Sequence, residues 1–181
     1  AFQEGFESAN PPAPNWDLGT TGLGSNGLWA IFDNGVGLNQ SWTINTAITT
    51  PPTVCAGVQS AYINRENIGG GNVGQDFLAT PLITLPANAQ LRFITRTTIS
   101  GDQLTKYKIM WAPASAAQNN PAAYTLVQEF TEVSLTAVFN VCEEKAVSLA
   151  AHAGEQGYIA FVREYSQPDA GLNGDRWLVD D

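Results

Sequence analysis

The 181-residue chain carries 8 Lys and Arg against 17 Asp and Glu, a net charge of −9. With no basic face to meet phosphates, it is not built for nucleic acid or an anionic membrane surface, and no apolar run is long enough for a membrane-spanning helix. Its charged fraction of 14% is well under the roughly 25% of an average soluble protein, and Thr, Asn and Gly are plentiful, which points to an extracellular β-protein.

The chain opens on "EGFES" and "NPPAPNW" (10–16), then runs through "DLGTTGLGSNGLW" (17–29), where only Asp17 is charged. "IFDNG" follows, with Asp33 as a loop carboxylate. Asp76 in "GQDFLATP" sits ahead of a strand and reads as a cap for the glycine loop 67–74, with a cation ligand as the alternative. "LRFITRTTI" (91–99) puts Leu91, Phe93, Thr95, Thr97 and Ile99 on one face. "KYKIMWA" (106–112) puts Tyr107, Ile109 and Trp111 on one face. With the turn residues "SGDQ" between them, 91–112 reads as an antiparallel hairpin.

Segments 124–130 and 135–141 read as two further strands, and 145–157 as a strand entering one helical turn. "GYIAFVREY" (157–165) turns Ile159 and Phe161 inward, with Arg163 on the same alternation, and "RWLVDD" closes the chain. Short strands separated by Pro- and Gly-rich turns predict a single all-β domain, a two-sheet antiparallel sandwich or barrel. An abrupt start and a stop inside a strand lead us to expect flanking sequence at both ends.

Four blocks, in order, carry a resemblance: "EGFES...PPAPNW", "SAYINRENIGGGNVGQDFLATPLITLP", "KAVSLAAHAGEQGYIAFVRE" and "DRWLVDD". Together they resemble the cleaved-adhesin and choice-of-anchor J domains. These are jelly-roll modules of bacterial secreted and cell-surface proteins, related in shape to MAM domains. The resemblance implies a jelly-roll β-sandwich covering residues 1–181 and a non-catalytic adhesion module. It also implies a Ca²⁺ site where the chain's two ends meet, with Glu7 and Asp180 as side-chain ligands, Asp181 as substitute and Asp33 as a further candidate. Adjacent carboxylates at a strand end repel, and a hard cation taking six to eight oxygens would relieve that; a solvated strand end is the alternative. His152 stands where these domains often carry Tyr.

Cys55 and Cys142 are the only cysteines, so one disulfide is allowed, as are two separate thiols. Of the five tryptophans, Trp111 and Trp177 fall in apolar strand patterns and read as core. Trp29 and Trp42 lie in loop-rich sequence and are the candidates for a ligand-stacking surface, with burial in the core the more ordinary reading of each. No nucleophile elbow, zinc-protease or P-loop motif is present, and Glu129, Glu132, Glu143 and Glu144 mark no cleft. The expected function is therefore binding of a surface protein or glycan. A carbohydrate-binding module attached to a polysaccharide-degrading enzyme is the alternative.

Overall fold

The computed structural model describes Phe6, residues 29–46 and residues 54–181. The strands are β1 (Ala30–Asp33), β2 (Thr43–Thr46), β3 (Gln59–Ile63), β4 (Val73–Ala79), β5 (Ile83–Thr84) and β6 (Gln90–Thr95), followed by β7 (Thr105–Pro113), β8 (Thr125–Thr131), β9 (Glu143–Ser148), β10 (Gln156–Ser166) and β11 (Trp177–Val179). One helical turn, α1 (Glu132–Leu135), follows β8 and is capped by the Thr131 side chain.

These strands form a two-sheet antiparallel sandwich of jelly-roll type. The larger sheet runs β1-β4-β10-β7-β8, with β5 also paired to β10. In the smaller sheet β2-β3-β11 meets β6-β9 through a bridge between Ile94 and Asp180, closed by Ile94 N–H to the Asp180 carbonyl (2.8 Å) and Asp180 N–H to the Ile94 carbonyl (3.0 Å). The chain repeatedly crosses from one sheet to the other. The expected 91–112 hairpin is therefore wrong: β6 pairs with β9 and β7 with β10 and β8. The "SGDQ" segment is a crossover, and Gly101 and Leu104 adopt positive φ there.

The inward alternation read from β6, β7 and β10 fills the space between the sheets. Trp177 is the hub: its ring lies 5.2 Å from Tyr107, 5.5 Å from Trp42 and 5.8 Å from Phe161, while Phe93 meets Phe161 edge-on at 5.3 Å. Such edge-to-face pairs stabilise beyond simple burial. The Trp177 indole N–H donates to Thr95 Oγ1 and that hydroxyl donates to the Leu178 carbonyl, so the polar atoms of this pair are satisfied.

The outer face of the larger sheet is floored by Ala30, Ala79, Ala112 and Ala160, which lets Tyr124 lie against Phe77 and Phe32. The segment between β7 and β8 is tied down here: the Tyr124 hydroxyl donates to the Gln118 carbonyl and Gln118 Nε2 donates to the Thr80 carbonyl. His152 stacks on Trp111 at 5.0 Å, doing there what a larger aromatic would do.

Candidate functional site: the disulfide-bound rim

Asp180 follows the last strand and is fully buried. Its Oδ2 accepts the backbone N–H of Cys55 (2.9 Å) and of Ala56 (2.8 Å), and its Oδ1 accepts that of Asp181 (3.1 Å). Burial pushes the Asp180 pKa above the usual carboxylate value, against the pull of the Ala56 and Cys55 amides, and the neighbouring Asp181 charge adds to the rise. Asp180 thereby pins the segment that carries Cys55.

Cys55 is bonded to Cys142, with their Cα atoms 5.8 Å apart. The bridge holds the end of the loop 136–142. Sequence composition predicted a strand over 135–141; the chain instead leaves α1 and runs as this loop. Asn140 sits at φ 62°, outside strand geometry, and its N–H donates to the Thr97 carbonyl. Thr136 Oγ1 shares a hydrogen bond with Thr97 Oγ1 at 2.9 Å, and the Ala137 N–H donates to Glu143 Oε1. The loop is therefore fixed at both ends and in the middle. It nevertheless presents Val138, Phe139 and Val141 to solvent, 56%, 47% and 48% exposed. No charged residue occurs from 133 to 142.

Under this loop lies Arg96, only 3% exposed. Its Nη1 donates to Asn140 Oδ1 (2.6 Å), while Nε and Nη2 have no hydrogen-bond partner. Nothing in the local sequence marks this arginine; its surroundings come from three separate segments.

The expected stacking tryptophans are corrected. Trp29 and Trp42 are both 2% exposed: Trp29 packs on Phe6, and Trp42 packs on Trp177 with its indole N–H on the Asp76 carbonyl. Loop-rich flanks mislead here because the jelly roll buries short strands and their approaches alike. Asp76 is likewise not a loop cap. It lies within β4, its carboxylate is 3.6 Å from Arg163 Nη1, and burial raises its pKa to about 7.

Of the expected calcium ligands, Glu7 lies outside the described residues. Asp33 belongs to β1 in the larger sheet, in register with Asp76, and its Oδ1 accepts the Gly35 N–H. It is not brought to Asp180, which belongs to the smaller sheet. Asp181 is exposed. Among the described residues no group of three or more His, Cys, Asp or Glu is gathered for a metal ion. The Asp180 oxygens face amide protons, so the described residues do not by themselves complete a calcium shell of six to eight oxygens.

No family model and no curated protein matches the sequence. Solved structures do match. The K1 cleaved adhesin domain of Lys-gingipain from Porphyromonas gingivalis W83 superposes with a TM-score of 0.56 at 18% identity, covering 84% of this chain and 86% of that one. The K3 domain of the same protein gives 0.54 at 19% identity, covering 84% and 88%. The glycoside hydrolase domain structure of Endo-D from Streptococcus pneumoniae R6 gives 0.50 at 10% identity, covering 84% of this chain and 20% of that one. At these identities the likeness is one of fold, and it agrees with the sequence blocks: the chain folds as a jelly roll similar to that of the cleaved adhesin domains.

Proposed function

We propose that this domain is a non-catalytic binding module of a bacterial extracellular protein and that it engages a protein surface through the rim loop. The observation that carries the reading is the exposure of Val138, Phe139 and Val141 on a loop held by a disulfide and by backbone hydrogen bonds. Docking would recover about 25 cal/mol for each Å² of apolar surface removed from water, and a loop already fixed loses little conformational freedom on binding. Two valines around a single aromatic ring offer no hydrogen-bond array for sugar hydroxyls, which favours a protein over a glycan. A disulfide persists in oxidising compartments, and this supports secretion or display at the cell surface. Calcium belongs to the proposal through Glu7, Asp180 and Asp181.

A second reading, a carbohydrate-binding module, is favoured by the outer face of the larger sheet. There Gln75 Nε2 and Lys108 Nζ both donate to Glu164 Oε2, at 2.7 and 2.6 Å, in a half-buried polar ladder next to the row that begins at Phe32. The two readings separate when the domain and a Val138→Ser, Phe139→Ser, Val141→Ser variant are tested against purified extracellular-matrix and serum proteins and against a glycan array. Saturable protein binding that the variant loses, with its melting temperature unchanged, supports the rim. A variant that binds like the parent removes the rim from the account, and binding confined to the glycan array supports the second reading.

A further inference from the structure

Arg96 is the one buried cation among the described residues with unpartnered guanidinium nitrogens. A guanidinium has two edges, and the one formed by Nε–H and Nη2–H is the side-on fork that matches the two oxygens of a carboxylate. In Arg96 both atoms of that fork lack a partner. The Asn140 side chain holds Nη1, which fixes the plane of the group and leaves the fork available.

Asp175 does not fill this role. Its field supports the charge on Arg96, but its oxygens are already taken by Thr98 N–H and Oγ1–H, Ile99 N–H and Arg176 N–H. Burying a charged group without a partner is costly, and Arg is the side chain most often kept for planar, two-point recognition of carboxylates. Arg96 directly follows β6, two residues beyond Ile94, the residue bridged to Asp180. Asn140 comes from the rim loop, where Phe139 and Val141 flank it in the chain.

We infer that Arg96 is a carboxylate anchor: it receives, on its Nε/Nη2 edge, an acidic side chain or chain-end carboxylate of a protein segment whose apolar neighbours rest on Val138, Phe139 and Val141. The inference rests on the rim as a protein-docking surface and names the chemistry of its partner. The fork atoms are shielded from solvent, so a carboxylate reaches them only as a covering side chain rotates aside, with the loop backbone held in place. The domain's net charge of −9 repels acidic segments elsewhere on its surface, so this anchor would also set where such a segment lands.

The test uses sodium hexanoate, a carboxylate with an apolar tail, and hexanamide, its neutral isostere. The readout is the Arg96 Nε–Hε cross-peak in ¹H–¹⁵N spectra of the intact domain, assigned by its loss in Arg96→Lys. The expected result is a saturable shift with hexanoate and binding of hexanamide weaker by roughly tenfold or more, the size of a lost charge-assisted pair. Equal shifts with both compounds, or none with either, overturn the anchor. The wild-type comparison stands even where Arg96→Lys unfolds. If the serine variant of the rim loses protein binding while hexanoate leaves Arg96 unmoved, only the anchor fails. If that variant binds proteins like the parent, the docking surface itself fails.

Discussion

Asp180 and Cys55 stand 125 residues apart in sequence, yet the carboxylate of the first accepts the backbone N–H of the second at 2.9 Å. That contact joins the end of the last strand to the segment entering β3, and the disulfide carries the linkage on to the rim loop. One carboxylate thus positions the proposed binding surface without touching it directly.

Removing it should be costly. Asp180→Ala leaves the amides of Cys55 and Ala56 without an acceptor in a buried setting. A loss of about 3 kcal/mol is expected, since hydrogen bonds to a charged group contribute roughly 1.5–3 kcal/mol each and an orphaned buried donor adds its desolvation. Asp180→Asn keeps one acceptor oxygen and should lose about half of that. Urea unfolding followed by tryptophan fluorescence measures both; an alanine variant within about 0.5 kcal/mol of the parent, the size of an ordinary surface change, would refute the role.

The Cys55–Cys142 bridge closes a long loop, with a sequence separation of 87. On the chain-entropy account such closure stabilises by roughly 4–5 kcal/mol. Cys55→Ser with Cys142→Ser should lower the denaturation midpoint strongly while leaving far-UV circular dichroism unchanged at low denaturant. A midpoint equal to the parent's would mean that Asp180 and the Asn140–Thr97 contact hold the loop without it.

Stability should rise as pH falls through neutrality, the reverse of the usual carboxylate effect. Burial raises Asp76 and Glu132 to about 7 each, from ordinary values of 3.8 and 4.5. Between the unfolded and folded pKa the native state binds more protons than the unfolded state, so raising pH through this window destabilises the fold, by at most about 1.4 kcal/mol per pH unit for each group. The melting temperature should therefore be higher at pH 5.5 than at pH 8. Glu132→Gln should reduce that difference, because its carboxylate, which accepts the Gln103 and Thr105 N–H groups, no longer titrates. A flat profile from pH 5.5 to 8 would contradict it.

Calcium, as proposed, predicts a melting temperature that drops on addition of EDTA and recovers with excess CaCl₂, by the linkage between binding and folding. Asp180→Asn should shrink that response. An unchanged midpoint with and without EDTA removes the ion and leaves the Asp180 amide contacts as the sole reason for its burial.

Local pattern was a good guide to which side chains face inward. In β10 the alternation that turned Ile159, Phe161 and Arg163 to one side is the alternation observed, because a strand's side chains alternate whatever lies beside it. The same reasoning placed Trp111 and Trp177 in the core. It failed where the answer depended on partners. Residues 91–99 and 106–112 looked like a hairpin because they are neighbours in sequence, but a jelly roll sends neighbours to different sheets. Residues 135–141 have strand composition, yet no described strand pairs with them and Asn140 turns the backbone away.

Composition, turn punctuation and alternation by themselves determined that this chain is acidic and all-β, a sandwich or a barrel, and the ordered sequence blocks narrowed that to a jelly roll. Tertiary structure alone decided that Asp180 meets the Cys55 amide, that Arg96 lies beneath Asn140 with its fork unpaired, and that Trp29 and Trp42 are interior. The physical reason is range. Side-chain alternation is a property of a few consecutive residues, whereas a hydrogen bond or a buried charge is settled by whichever strands the sheet order makes adjacent.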